Sequence, residues 1–190
     1  MAKIHPSSSS ASHASSMKEV YTIWMKSLVL NGNGCTIYDS KGKIVYRVDN
    51  YDSKCREKVY IMDPCGKVLL KKLRVFGRWE GYRCNGSNEE MKLWFKVKKP
   101  CKFLEGEHLS CEVWGDNGHI MCYKMVGLAE KLSYKITDLA GNITAEVNRK
   151  QTTSGVVLGD DVLTLKVEPN IDQSLIMGLV VVQGLMNHRM

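Results

Sequence analysis

Two short basic runs are the residues best suited to chemistry. The first is Lys67, Lys71, Lys72, Arg74 and Arg78, and the second is Lys92, Lys96, Lys98, Lys99 and Lys102. Ammonium and guanidinium groups at this density attract phosphate, so the chemistry on offer is anion binding. Carried on adjacent strands, the runs would merge into a patch that docks on lipid phosphates, with Trp79 and Trp94 beside it. Lys71, Lys72, Arg74, Lys96, Lys98 and Lys99 are its candidate members. The plain alternative is a solvated strand face whose charge only keeps the protein in solution. The overall balance, Lys+Arg 27 against Asp+Glu 20, gives +7 and suits both readings. Nucleic acid fits the charge as well, but the sequence holds no motif for it.

Arrangements that carry catalysis or hold metals do not occur. His5, His13, His108, His119 and His188 are scattered, and there is neither a Cys-x-x-Cys nor a His-x-x-x-His pair. No Gly-x-Ser-x-Gly elbow is present. Gly42-Lys43 and Gly66-Lys67 look like the end of a phosphate-binding loop, yet both lack the upstream glycine and the following Ser or Thr. Gly159-Asp160-Asp161 is too short for a calcium loop. The expectation is a protein that is not an enzyme and uses no cofactor or metal.

Cys35, Cys55, Cys65, Cys84, Cys101, Cys111 and Cys122 make an odd set with no paired spacing, which predicts free thiols in a reducing compartment. The first twenty residues lack the apolar core of a secretory leader, and Ala2 stands where N-myristoylation needs glycine. The expected place is intracellular, cytoplasmic or nuclear, with a peripheral position at the plasma membrane left open.

The elements that must position these residues are mostly strands. Residues 1–18 are rich in Ser, Ala and His and read as a disordered tail. From Tyr21 onward, short runs of Val, Ile, Tyr and Trp alternate with turn residues. One phrase recurs at Ile37–Tyr46, Ile61–Leu70 and Ile136–Thr144: an apolar strand, Asp-x-x-Gly, then a second strand. The Asp takes up backbone amides while the Gly supplies the positive φ that closes the turn, so each is a β-hairpin. Gly115–Gly118 is a fourth tip. About twelve strands follow, and an antiparallel sheet of that size must curl or close to protect its edges.

Only Asp172–Met186 breaks this pattern. Leu175, Ile176, Met177, Leu179, Val180, Val181 and Leu185 point all round a helix axis, so the helix has no face for water. Its length, roughly 22 Å at about 1.5 Å per residue, falls short of the roughly 30 Å needed to span a bilayer. Asp172 and Ser174 sit at the N-cap, after a break at Pro169-Asn170. A closed barrel around this helix gives both elements a home. Nine large apolar side chains would then contribute on the order of 13–27 kcal/mol gross on burial.

Tyr21–Tyr51, Met62–Leu70 and Gly159–Met186 resemble the plant LURP-one-related family, and the likeness runs from about Lys18 to Met186. The resemblance implies the tubby C-terminal-like fold, a closed antiparallel barrel of about twelve strands around a hydrophobic C-terminal helix, as one domain over 19–187. The wider superfamily includes phosphoinositide-binding tubby domains and phospholipid scramblases, and plant members share a link to defence. Three functions follow as expectations. The first is a non-catalytic intracellular binding module tethered to anionic or phosphoinositide membrane; the second is a scramblase-like lipid-handling protein; the third is a protein-interaction domain with no lipid role.

Overall fold

The computed structural model describes residues 15–25, 33–50, 58–75, 78–84, 91–98, 109–115, 118–128 and 133–186. Twelve strands run β1 (Glu19–Trp24), β2 (Asn33–Tyr38), β3 (Ile44–Asn50), β4 (Lys58–Met62), β5 (Val68–Val75), β6 (Arg78–Cys84), β7 (Met91–Lys98), β8 (Leu109–Trp114), β9 (Ile120–Leu128), β10 (Ser133–Asp138), β11 (Ile143–Arg149) and β12 (Val162–Val167), before helix α1 (Gln173–Met186). Each strand pairs antiparallel with the next and β12 returns to β1, which closes the barrel. Closure satisfies the backbone groups that an open edge would expose. Of the expected tail, Ser15–Lys18 lie against the fold: the Asn170 amide donates to the Ser15 carbonyl at 2.7 Å, and Lys18 pairs with Glu168. Residues 1–14 lie outside the described residues.

The three Asp-x-x-Gly turns share one geometry. Asp39 Oδ1 accepts the amides of Lys41 and Lys43 at 2.9 and 2.8 Å, and Asp63 Oδ1 accepts those of Cys65 and Lys67 at 2.9 Å. Asp138 Oδ1 takes the Asn142 amide at 2.8 Å. The following Gly42, Gly66 and Gly141 have φ of 78°, 84° and 87°, where a side chain would be strained. Gly115 and Gly118 make the same pair of backbone bonds, with Gly115 in the aspartate's place. A fifth copy spans Thr152–Val156, with the Thr152 hydroxyl in the carboxylate's place, accepting the Val156 amide at 3.1 Å.

Helix α1 fills the barrel. Every residue from Ser174 to Leu185 is buried, in contact with inward residues such as Ile37, Leu70, Phe95, Ile136 and Leu165. Asp172 is its N-cap, accepting the amides of Ser174 and Leu175 at 2.9 and 3.2 Å. The helix sits close against the wall at β6 and β7. A Cβ on Gly81 would stand 2.4 Å from the Phe95 ring, and one on Gly178 would stand 2.9 Å from the same ring. Phe95 is therefore held between a wall glycine and a helix glycine, and either larger side chain would displace it.

Alternating strand direction divides the barrel into two ends. The turns at 39–43, 63–67, 115–119 and 138–142 share the end where α1 enters. The β11–β12 turn and the last turn of α1 lie at the opposite, exit end, with the first residues of β4 and β6 and the last residues of β5, β7 and β11.

Candidate anion-binding surface

Cross-strand register sets the outer wall over β4–β8. Lys71 is paired with Tyr60 on one side and Tyr82 on the other. One row on, Lys96 is paired with Glu80 and with Glu112. Opposite charges directly across antiparallel strands stabilise the sheet modestly. Glu80 is buried: Oε2 accepts the Tyr82 hydroxyl at 2.7 Å, while Arg78 Nε and Lys96 Nζ stand 3.7 and 3.9 Å from Oε1. Lys96 also lies over the Trp114 ring at 5.0 Å, and Lys98 pairs with Glu112 at 3.0 Å. The nitrogen of Lys71 sits 5.8 Å above the Tyr60 ring. The bond to the Glu80 carboxylate, then burial, raises the Tyr82 phenol above its ordinary pKa and keeps it a donor. Four cations, Lys71, Arg78, Lys96 and Lys98, thus face two carboxylates, Glu80 and Glu112. The surplus is positive, and the chemistry it supports is attraction of anions.

The candidate residues named from the sequence divide between places. Lys71, Lys96 and Lys98 lie on this wall, with β6 between the two strands that carry them. The register partners of Lys72 are Val59 and Gly81, and Arg74 is paired with Trp79. The side chains of Lys72 and Arg74, and all of Lys99, lie outside the described residues. Trp79 and Trp94 do not flank the patch: both are core residues, 6% and 7% exposed. The cause for Trp94 is a register shift that pairs Gly81 with Phe95 and Tyr82 with Leu93, leaving Trp94 as an extra residue. Trp94 and Phe95 then both reach the interior, with ring centres 6.0 Å apart. The wall aromatics are Tyr60, Tyr82 and Trp114 instead. Trp114, two residues after Glu112, was signalled only by period-two spacing.

A second cluster closes the entry end. The Arg83 guanidinium stacks 3.9 Å above the Trp94 ring and donates to Asp172 Oδ2 at 2.7 Å. The Tyr46 hydroxyl stands 3.4 Å from Ser174 Oγ. The carboxylate that caps α1 is thereby tied to β6, so this cluster fixes the helix in the barrel. Among the described residues, no three His, Cys, Asp or Glu side chains converge as metal ligands would, and no helix is long and apolar enough to cross a membrane. Cys35, Cys65, Cys84, Cys111 and Cys122 are free; Cys55 and Cys101 lie outside the described residues.

The family model described as LURP-one-related matches residues 19–183, the whole barrel and most of α1. The chain belongs to the LURP-one-related family. It is 43% identical to protein LURP-one-related 11 of Arabidopsis thaliana, over 98% of this chain and 89% of that protein. LURP-one-related 4 and LURP-one-related 3 of the same plant are 41% and 46% identical, over 97% and 86% of this chain and 86% and 77% of their own. The crystal structure of an Arabidopsis thaliana protein superposes with a TM-score of 0.66 at 20% identity, covering 92% of this chain and 94% of that one. That likeness speaks for the fold of this LURP-one-related chain, the barrel with a central helix expected above.

Proposed function

We propose that this LURP-one-related protein is a non-catalytic binding module that tethers peripherally to anionic phospholipid, phosphoinositide included. The occupied interior carries the reading: α1 fills the space in which other barrels hold a ligand, so recognition falls to the outer surface. That surface includes the cationic wall of Lys71, Lys96 and Lys98, extended in sequence by Lys72, Arg74 and Lys99. Scramblase-like insertion of α1 is the weaker alternative, because twelve buried residues would have to leave the core first. The intracellular seat rests on the odd, unpaired set of cysteines, and the link to plant defence rests on the family resemblance. Co-sedimentation with phosphatidylcholine vesicles, with and without phosphoinositide, tests the reading. Binding that needs the anionic lipid and weakens steeply with salt supports it. The patch is wrong if glutamine at all six positions leaves binding intact, and absence of binding at any salt leaves a protein-interaction domain.

A further inference from the structure

Between β12 and α1 the chain must turn from the entry rim into the lumen, through Glu168, Pro169, Asn170, Ile171 and Asp172. Strand pairing stops just before this link. Glu19 and Val167 are the outermost pair of β1 and β12, and Pro169 has no N–H with which to extend the ladder. The turn is made at Asn170, whose φ of 61° is the only positive value outside glycine among the described residues. Asparagine tolerates the left-handed region better than most residues, but it keeps that conformation only where its surroundings hold it, and such positions collect in elements that switch.

What holds Asn170 comes from the far end of the chain. Its amide donates to the Ser15 carbonyl at 2.7 Å, and Lys18 pairs with Glu168. The Met17 amide donates to Ser15 Oγ at 3.2 Å, which bends Ser15–Lys18 over the link. The link is anchored at both ends as well: the Glu168 amide donates to the Thr144 carbonyl of β11 at 2.9 Å, and Asp172 is held by Arg83 of β6. These contacts differ in how readily they open. Arg83 and Asp172 are only 28% and 21% exposed, and the Tyr46 hydroxyl stands near Ser174 in the core. Lys18 and Glu168 are 47% and 32% exposed, so water and ions reach the outer contact first. An exposed ion pair is weak and screened by salt. It can break and reform while the barrel stays folded, as local opening at the low-stability parts of a fold does.

We propose that Ser15–Lys18 is a strap that locks α1 at its entry: it leaves Glu168 and Asn170 before the first turn of the helix can loosen. The strap goes beyond the tethering reading, which leaves α1 where it is, and the two stand or fall separately. The test is amide hydrogen exchange in the full chain, read by NMR at Ser174, Leu175 and Ile176, whose amides bond to Asp172. It compares wild type with Lys18→Glu, which sets two carboxylates against each other, with Lys18→Ala, and with Asp160→Lys, which reverses a charge in the exit-end pair with Arg149. The expected result is first-turn exchange roughly threefold to tenfold faster in Lys18→Glu, a smaller rise in Lys18→Ala, and no change in Asp160→Lys. The buried strand amides should keep their wild-type rates in all three. First-turn exchange in Lys18→Glu equal to wild type overturns the strap. An equal rise through the strands overturns it too, because the pair then adds to overall stability without governing the helix entry, and so does a matching first-turn rise in Asp160→Lys.

Discussion

The two ends of the barrel are finished in different ways. At the entry end Asp172 caps α1 and holds Arg83, which covers Trp94, while the turn aspartates take backbone amides. At the exit end α1 finishes without a basic residue in its last turn, the buried Gln183 Oε1 has no hydrogen-bond partner among the described residues, and the neighbouring turn projects three aliphatic side chains. Charge committed to the fold stabilises it and is lost to recognition. Groups left outward cost little stability and remain free to meet a partner. The contrast places the helix anchor at one end and an exposed aliphatic turn at the other.

The severest way to test that division is to remove what both ends share. Ile176→Asp places a carboxylate where the side chain is 0% exposed, and loss of any cooperative urea transition is expected. Gly81→Ala forces the Phe95 ring aside and should lower unfolding free energy by about 1–3 kcal/mol, with Phe95→Ala lower still if the ring is the keystone. Alkaline pH offers a comparable effect. Burial pushes the Cys35 thiol from 9.0 up to about 12, so above pH 9 the unfolded chain binds fewer protons than the native one. This stability is fully present below pH 9 and falls as pH rises toward 12, by at most about 1.4 kcal/mol per pH unit. Urea midpoints at pH 8 and 10.5 should show a shallower dependence in Cys35→Ala than in wild type.

Smaller changes sharpen the contrast itself. Asp172→Ala should cost about 1–2 kcal/mol through the lost cap and Arg83 pairing, read as a lower urea midpoint, and Asp172→Asn less because asparagine still caps. A triple variant, Val156→Ser, Val157→Ser and Leu158→Ser, should stay within about 0.5 kcal/mol of wild type, since exposed side chains away from special contacts contribute little. If this exit-end variant unfolded as readily as the entry-end one, the contrast would fail.

Much of this architecture was legible in the residues. Asp39, Asp63 and Asp138 with glycines three places on dictate their turns through local backbone bonding, which needs no tertiary contact. The all-round apolar run from Leu175 to Leu185 requires burial wherever it lies, and with about twelve strands in the chain it required a closed wall. Asp172 is a cap by position alone.

What the sequence could not decide depends on register and on pairs distant along the chain. Strand alternation alone puts Trp94 on the same face as Lys92 and Lys96; the extra residue opposite β6 sends it to the core. Two basic runs predicted a patch, yet pairing Lys96 between Glu80 and Glu112, and placing β6 between β5 and β7, is a property of the closed sheet. The short run Val156–Leu158 reads like any strand until the structure leaves it in solvent. Local turns and overall burial follow from the chemistry of neighbouring residues, whereas which side chains meet across strands follows from closure, which no short stretch contains.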